Sequence, residues 1–223
     1  MFAMPVLVLL IGASWAEAVR DEPAHSWNQE VSTGTVRDAA SKAQQLEQQG
    51  KFDEAIVLLE SARTKDPAVK GFALLLGIAY YKKGDFSRAV SNLKLALTEN
   101  PDDGEAVQLL GLSNYMAGRP AEAIPYLEKV QSWYPSANVD AAYILGMSYI
   151  QTKNYPQARV AFAKMFGVSP DSAASYLFTA RMLFRQEFGP VAEEYARKAV
   201  ALDPKLPLAH FLLGELYLFL SAL

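Results

Sequence analysis

Residues Lys70–Asp103 read KGFALLLGIAYYKKGDFSRAVSNLKLALTENPDD. Ala73, Leu76, Gly77 and Tyr80 fall at i, i+3, i+4 and i+7, so they share one face of a helix. Ala89, Leu93 and Ala96 do the same for a second helix, and Gly84 stands between the two. A first helix must stop at Gly84 and reverse, and positive φ is what glycine supplies at such a point. Asn100-Pro101 then ends the second helix, because proline disfavours α conformation in the residue before it. The stretch therefore predicts a helical hairpin, with the small residues Gly77 and Ala89 facing each other where the helices approach.

Working outward, the same residues recur. Pro67, Pro101, Pro135, Pro170 and Pro204 are separated by 34, 34, 35 and 34 residues, and Ala55, Ala89, Ala123, Ala158 and Ala192 keep the same steps. Gly77, Gly111, Gly146 and Gly214 share that register, with Ala43 and Ala180 in the remaining slots. Gly50 and Gly118 match Gly84 at the turn, while Phe52, Phe86 and Tyr155 follow it and can plug the hairpin end. Pro156 and Pro190 suit the first turn of a second helix, where a missing N–H costs nothing. A fixed period of this length marks stacked supersecondary units, none of which buries its apolar face alone.

The pattern resembles the tetratricopeptide repeat, matched at Gly77, Tyr80, Ala89, Ala96 and Pro101 and again at Gly146, Tyr149, Ala158 and Pro170. Asn114 departs from the usual tyrosine, Ala180 from the glycine, and Val130 and Met165 enlarge the late alanine slot. The resemblance implies an all-α, right-handed superhelical solenoid of antiparallel helix pairs, about five and a half repeats long. The units run over residues 36–69, 70–103, 104–138, 139–172 and 173–206, with a partial unit at 207–223. That last segment, with Phe211, Leu212, Leu216 and Phe219, is too apolar for the polar cap that a solenoid end requires. The expectation is a chain that continues past Leu223 or an open end that self-associates through those four residues. Thr35, with Asp38 three residues on, is placed to cap the first helix.

Ahead of the array, Pro5–Ala13 is a short apolar run followed by Ser14, Ala16 and Ala18, the form of a secretory signal peptide. Ala16-Glu17-Ala18 favours cleavage before Val19, and Ser14-Trp15-Ala16 offers an alternative before Glu17. Residues 1–18 are thus read as a signal peptide and 19–35 as a polar leader. The expected location is periplasmic or secreted. A membrane anchor is the lesser reading, since the run is shorter than the ~20 residues of a bilayer span.

The 223 residues are 51% hydrophobic with a net charge of −3, which provides a core but no cationic surplus for nucleic acid. The absence of cysteine removes disulfides, thiolate metal sites and cysteine nucleophiles, and His25 and His210 alone make no triad or ligand set. No cofactor, metal or catalytic residue is expected. The first helices are apolar almost all round and so have a second face to bury. That face carries Leu74, Ile78, Tyr81, Leu112, Tyr115, Tyr143, Met147, Ile150, Leu177, Arg181 and Phe184. The resemblance implies that it lines a concave groove. Its chemistry suits an apolar peptide or partner helix rather than an acidic chain end. The expected function is a non-catalytic protein-interaction scaffold of the cell envelope. The alternative is the recruiting array of a longer enzyme whose catalytic part lies beyond residue 223, or a self-associating structural array.

Overall fold

The computed structural model describes residues 34–134 and 139–221, and over these the chain forms eleven α-helices and no strand. Residues 1–18 of the expected signal peptide, most of the leader, His25 and Pro135 lie outside the described residues. The chain divides into two compact units, one through Leu109 and one from Leu110. The first holds α1 (Gly34–Gln48), α2 (Phe52–Lys65), α3 (Phe72–Lys83), α4 (Phe86–Glu99) and the opening of α5 (Gly104–Met116). The second holds the rest of α5, α6 (Pro120–Trp133), α7 (Val139–Gln151), α8 (Tyr155–Met165), α9 (Ala173–Arg185), α10 (Gly189–Leu202) and α11 (Pro207–Ser221). The fold is the expected all-α tetratricopeptide solenoid of antiparallel helix pairs. Gly34 and Thr35 are already helical, so Thr35 is not the residue ahead of the first turn.

Each hairpin reverses through the same pair of backbone hydrogen bonds. Gly84 N–H donates to the Tyr81 carbonyl at 3.0 Å and Asp85 N–H to the Tyr80 carbonyl at 2.9 Å. Gly50, Gly84 and Gly118 have φ of 74°, 85° and 74°, as a left-handed helix terminus requires. In the last two turns that slot belongs to Lys153 and Glu187, at φ of 61° and 64°, with the bonds unchanged. These two residues hold a conformation that costs an L side chain about 1–2 kcal/mol. The turn geometry is therefore imposed by the packing of the helices it joins.

The side chain nearest the Cβ position of Gly77 is that of Leu93. A Cβ on Gly77 would lie 2.7 Å from Cγ of Leu93, one helical turn beyond Ala89. Leu127 fills the same space over Gly111, and the Phe162 ring fills it over Gly146. The glycine is thus a socket for a large side chain, which brings the helix axes together while excluding void. In the fifth hairpin both sizes change together, with Ala180 in the glycine slot and Ala196 in the leucine slot, both fully buried. Tyr80 adds a polar tie, donating from its hydroxyl to Glu60 Oε1 at 2.7 Å and joining α3 to α2. Tyr149 does the same to Glu128, joining α7 to α6. Burial, and then the neighbouring carboxylate, push both phenols above their ordinary value. Asn114 stands in the same slot, fully buried, with neither end of its carboxamide hydrogen-bonded.

Candidate partner-binding face

In the first unit, Leu74, Ile78 and Tyr81 of α3 are half-buried, and the Tyr81 ring meets Phe86 edge-on at 5.8 Å between centroids. Lys82, one turn beyond Ile78, pairs with Glu47 of α1 at 2.6 Å. Glu105 at the start of α5 is held above the ordinary carboxylate range by burial and then by Asp103, with Lys82 opposing and Glu47 reinforcing the shift. An apolar patch bordered by a Lys82-centred group with more carboxylates than cations is what this unit offers.

In the second unit the expected groove residues separate by depth. Leu112, Tyr115, Met147, Ile150 and Leu177 are buried, with Ile150 at 0% exposure, so they offer a ligand little surface. The physical reason is that an apolar stripe at helical spacing serves a neighbouring helix as readily as a ligand. Tyr115 accepts a hydrogen bond from Gln151 Nε2 at 3.3 Å, and burial raises its phenol to about 12. Tyr143 and Phe184 stay half-buried, against Phe162 at 6.2 Å and Phe219 at 5.3 Å respectively. Arg181 is exposed on α9, and Arg185 is exposed one turn further on. On α9 the exposed Arg181 and Arg185 thus flank the half-buried Phe184.

The last helix also differs from expectation. Leu212 and Leu216 are buried, at 3% and 0% exposure, and Phe219 leans on Phe184 and over Gly189. Of the four residues assigned to an open end, Phe211 is exposed at 65% and Phe219 at 38%, and Leu218 beside them is exposed at 75%. His210 is exposed, its Nε2 lying 2.9 Å from the Pro204 carbonyl.

A cavity of about 220 Å³ between α6, α7 and α8 is lined by Glu128, Gln131, Tyr149 and Lys164 among others. It is smaller than the range usual for small-molecule sites. Among the described residues no three His, Asp or Glu side chains converge as metal ligands, and no helix is long and apolar enough to cross a membrane.

A tetratricopeptide repeat family model matches residues 46–112 and 115–182, more than half of the chain. None of the curated proteins compared with the chain matches it. Among solved structures, MamA 41-end from Desulfovibrio magneticus RS-1 is 22% identical with a TM-score of 0.60, the likeness covering 78% of this chain and 98% of that one. MamA of MSR-1 is 27% identical with a TM-score of 0.56, over 76% and 95%. YrrB, described as a TPR protein with an unusual peptide-binding site, is 20% identical with a TM-score of 0.57, over 78% and 89%. The period, the glycine sockets and these likenesses agree: the chain belongs to the tetratricopeptide repeat family and is built as a protein-interaction scaffold.

Proposed function

We propose that this scaffold is exported and non-catalytic, and that it binds an apolar peptide or partner helix on the exposed side of its first helices. The observation that carries the reading is the pair Arg181 and Arg185, exposed one turn apart on α9 beside the half-exposed Phe184. Like charges at that spacing repel within a helix, so a partner carboxylate between them relieves a cost already present. The bound segment is then apolar, with an internal Asp or Glu, rather than an acidic chain end. YrrB, a neighbour in fold, is described as having a peptide-binding site, which is in keeping with this use of the architecture. Export rests on the apolar run Pro5–Ala13 and the small residues after it.

Selection of peptides from a random library on the purified chain tests the binding reading. Selected sequences should pair aliphatic or aromatic residues with one acidic residue, and Arg181→Glu with Arg185→Glu should weaken them at least tenfold without changing the helical circular dichroism. Peptides that bind the double variant as well as the parent would contradict it. The intact mass of the protein from its host tests export, which requires an N-terminus at Val19 or Glu17.

A further inference from the structure

The cavity of about 220 Å³ between α6, α7 and α8 stands where one slot of the second helix changes size. Three residues on from the repeated Ala89, Ala123, Ala158 and Ala192 come Asn92, Tyr126, Ala161 and Tyr195. Asn92 Oδ1 accepts from Arg63 Nη1 at 3.4 Å, so in the first unit this slot ties α4 to α2. Tyr195 is 9% exposed, with its ring 5.6 Å from that of Tyr176 between centroids. Ala161 brings only a methyl group to the slot and forms part of the cavity wall. Gln131, on the same wall, stands in α6 where Arg63 stands in α2, eight residues past the repeated alanine. With alanine in the Asn92 slot, the carboxamide nitrogen of Gln131 is buried without a hydrogen-bond partner, in a side chain of a residue 9% exposed. A buried donor in that state is a cost that an acceptor entering the cavity relieves.

The lining sets the chemistry of what fits. Lys164 and the Gln131 nitrogen are donors, and Glu128 is an acceptor with one oxygen already taken by the Tyr149 hydroxyl. Leu145 and Val160 join Ala161 as an apolar wall. With one anion and one cation in the lining, a ligand carrying both signs pairs each of them, whereas a simple anion or cation leaves one unmatched. Since a cavity of about 150 Å³ accepts benzene, this one accepts a molecule of about nine non-hydrogen atoms, well below nucleotide or drug size. We propose that the cavity binds a free α-amino acid with a short aliphatic side chain. Its carboxylate accepts from Lys164 and Gln131, its ammonium donates to Glu128, and its side chain lies against Leu145 and Val160. None of these residues belongs to the proposed peptide-binding face, so the inference stands apart from that reading.

Isothermal titration calorimetry of the full chain with L-valine and with L-leucine tests the site. At least one of them should bind with a Kd below about 1 mM, weakened at least tenfold by Ala161→Tyr and by Lys164→Met. Tyrosine already holds the Ala161 slot at Tyr126 and Tyr195, so circular dichroism and thermal melts of Ala161→Tyr should show the fold kept. Lys164 is exposed, so Lys164→Met gives a folded protein to measure even where the tyrosine is not accommodated. Isobutyrate and isobutylamine, each with one of the two charges, should bind at least tenfold more weakly than the amino acid. A Kd above about 1 mM for both amino acids overturns the proposal and leaves a cavity that takes only water. Binding that Lys164→Met or a folded Ala161→Tyr leaves unchanged also overturns it, because the amino acid would then sit elsewhere. Isobutyrate or isobutylamine binding as tightly as the amino acid overturns the pairing of both charges and with it the proposed ligand class.

Discussion

At the scale of single residues, three hairpins set a glycine of the first helix against a leucine or phenylalanine of the second. Gly77→Ala places a methyl 2.7 Å from Leu93 Cγ, and overpacking of this kind costs about 1–3 kcal/mol, more than the ~1 kcal/mol of helix propensity that alanine returns. In a Leu93→Ala background the sign should reverse, because the methyl then enters the space left by leucine, as the Ala180 and Ala196 combination of the fifth hairpin suggests. Urea denaturation of the four proteins checks this, and the same sign in both backgrounds would contradict the socket. Glu105 gives a second residue-level expectation. Its folded pKa is raised above the ordinary 4.5, so its ionisation opposes folding. The stability associated with its neutral form is full below that value and is lost as pH rises through the folded one. Glu105→Gln should therefore stabilise the protein at pH 7, with the difference fading on acidification through the carboxylate range. A gain that grows on acidification would contradict the assignment.

At the scale of the element, the turn is where sequence and structure part company most instructively. Gly50, Gly84 and Gly118 announce a left-handed terminus, whereas Lys153 and Glu187 give no local sign of one and adopt it nonetheless. Their conformation comes from the helices they join, closed by the same backbone bonds. Lys153→Gly and Glu187→Gly should each raise stability by about 0.5–1 kcal/mol, while Gly84→Ala should lower it by about 1 kcal/mol. Thermal melts resolve the contrast, and a loss at all three positions would refute it. The helices themselves were legible, because period and spacing report which residues share a face. Depth was not. Spacing assigns Met147 and Phe184 to the same kind of face, yet Met147 is 3% exposed and Phe184 half-buried, since burial depends on how closely neighbouring hairpins stack. Spacing likewise marks Gly77 as a point of close approach, but the leucine that fills its Cβ space, one turn past Ala89, needs three-dimensional structure.

At the scale of the whole molecule, the chain is a repeat array whose described residues supply packing sockets, polar ties and accessible faces. That economy suits a scaffold, in which each hairpin supports its neighbour and the outward side chains are left to choose a partner. The central claim is recognition through the exposed side of the first helices. A photo-crosslinking amino acid placed at Arg181 and, separately, at Lys198, which is exposed on the second helix of the same hairpin, tests it most directly in the natural host. The account predicts a discrete adduct from position 181, lost when Arg185→Glu is added, and none from position 198. Equal adducts from both positions, or an adduct from 198 alone, would contradict it.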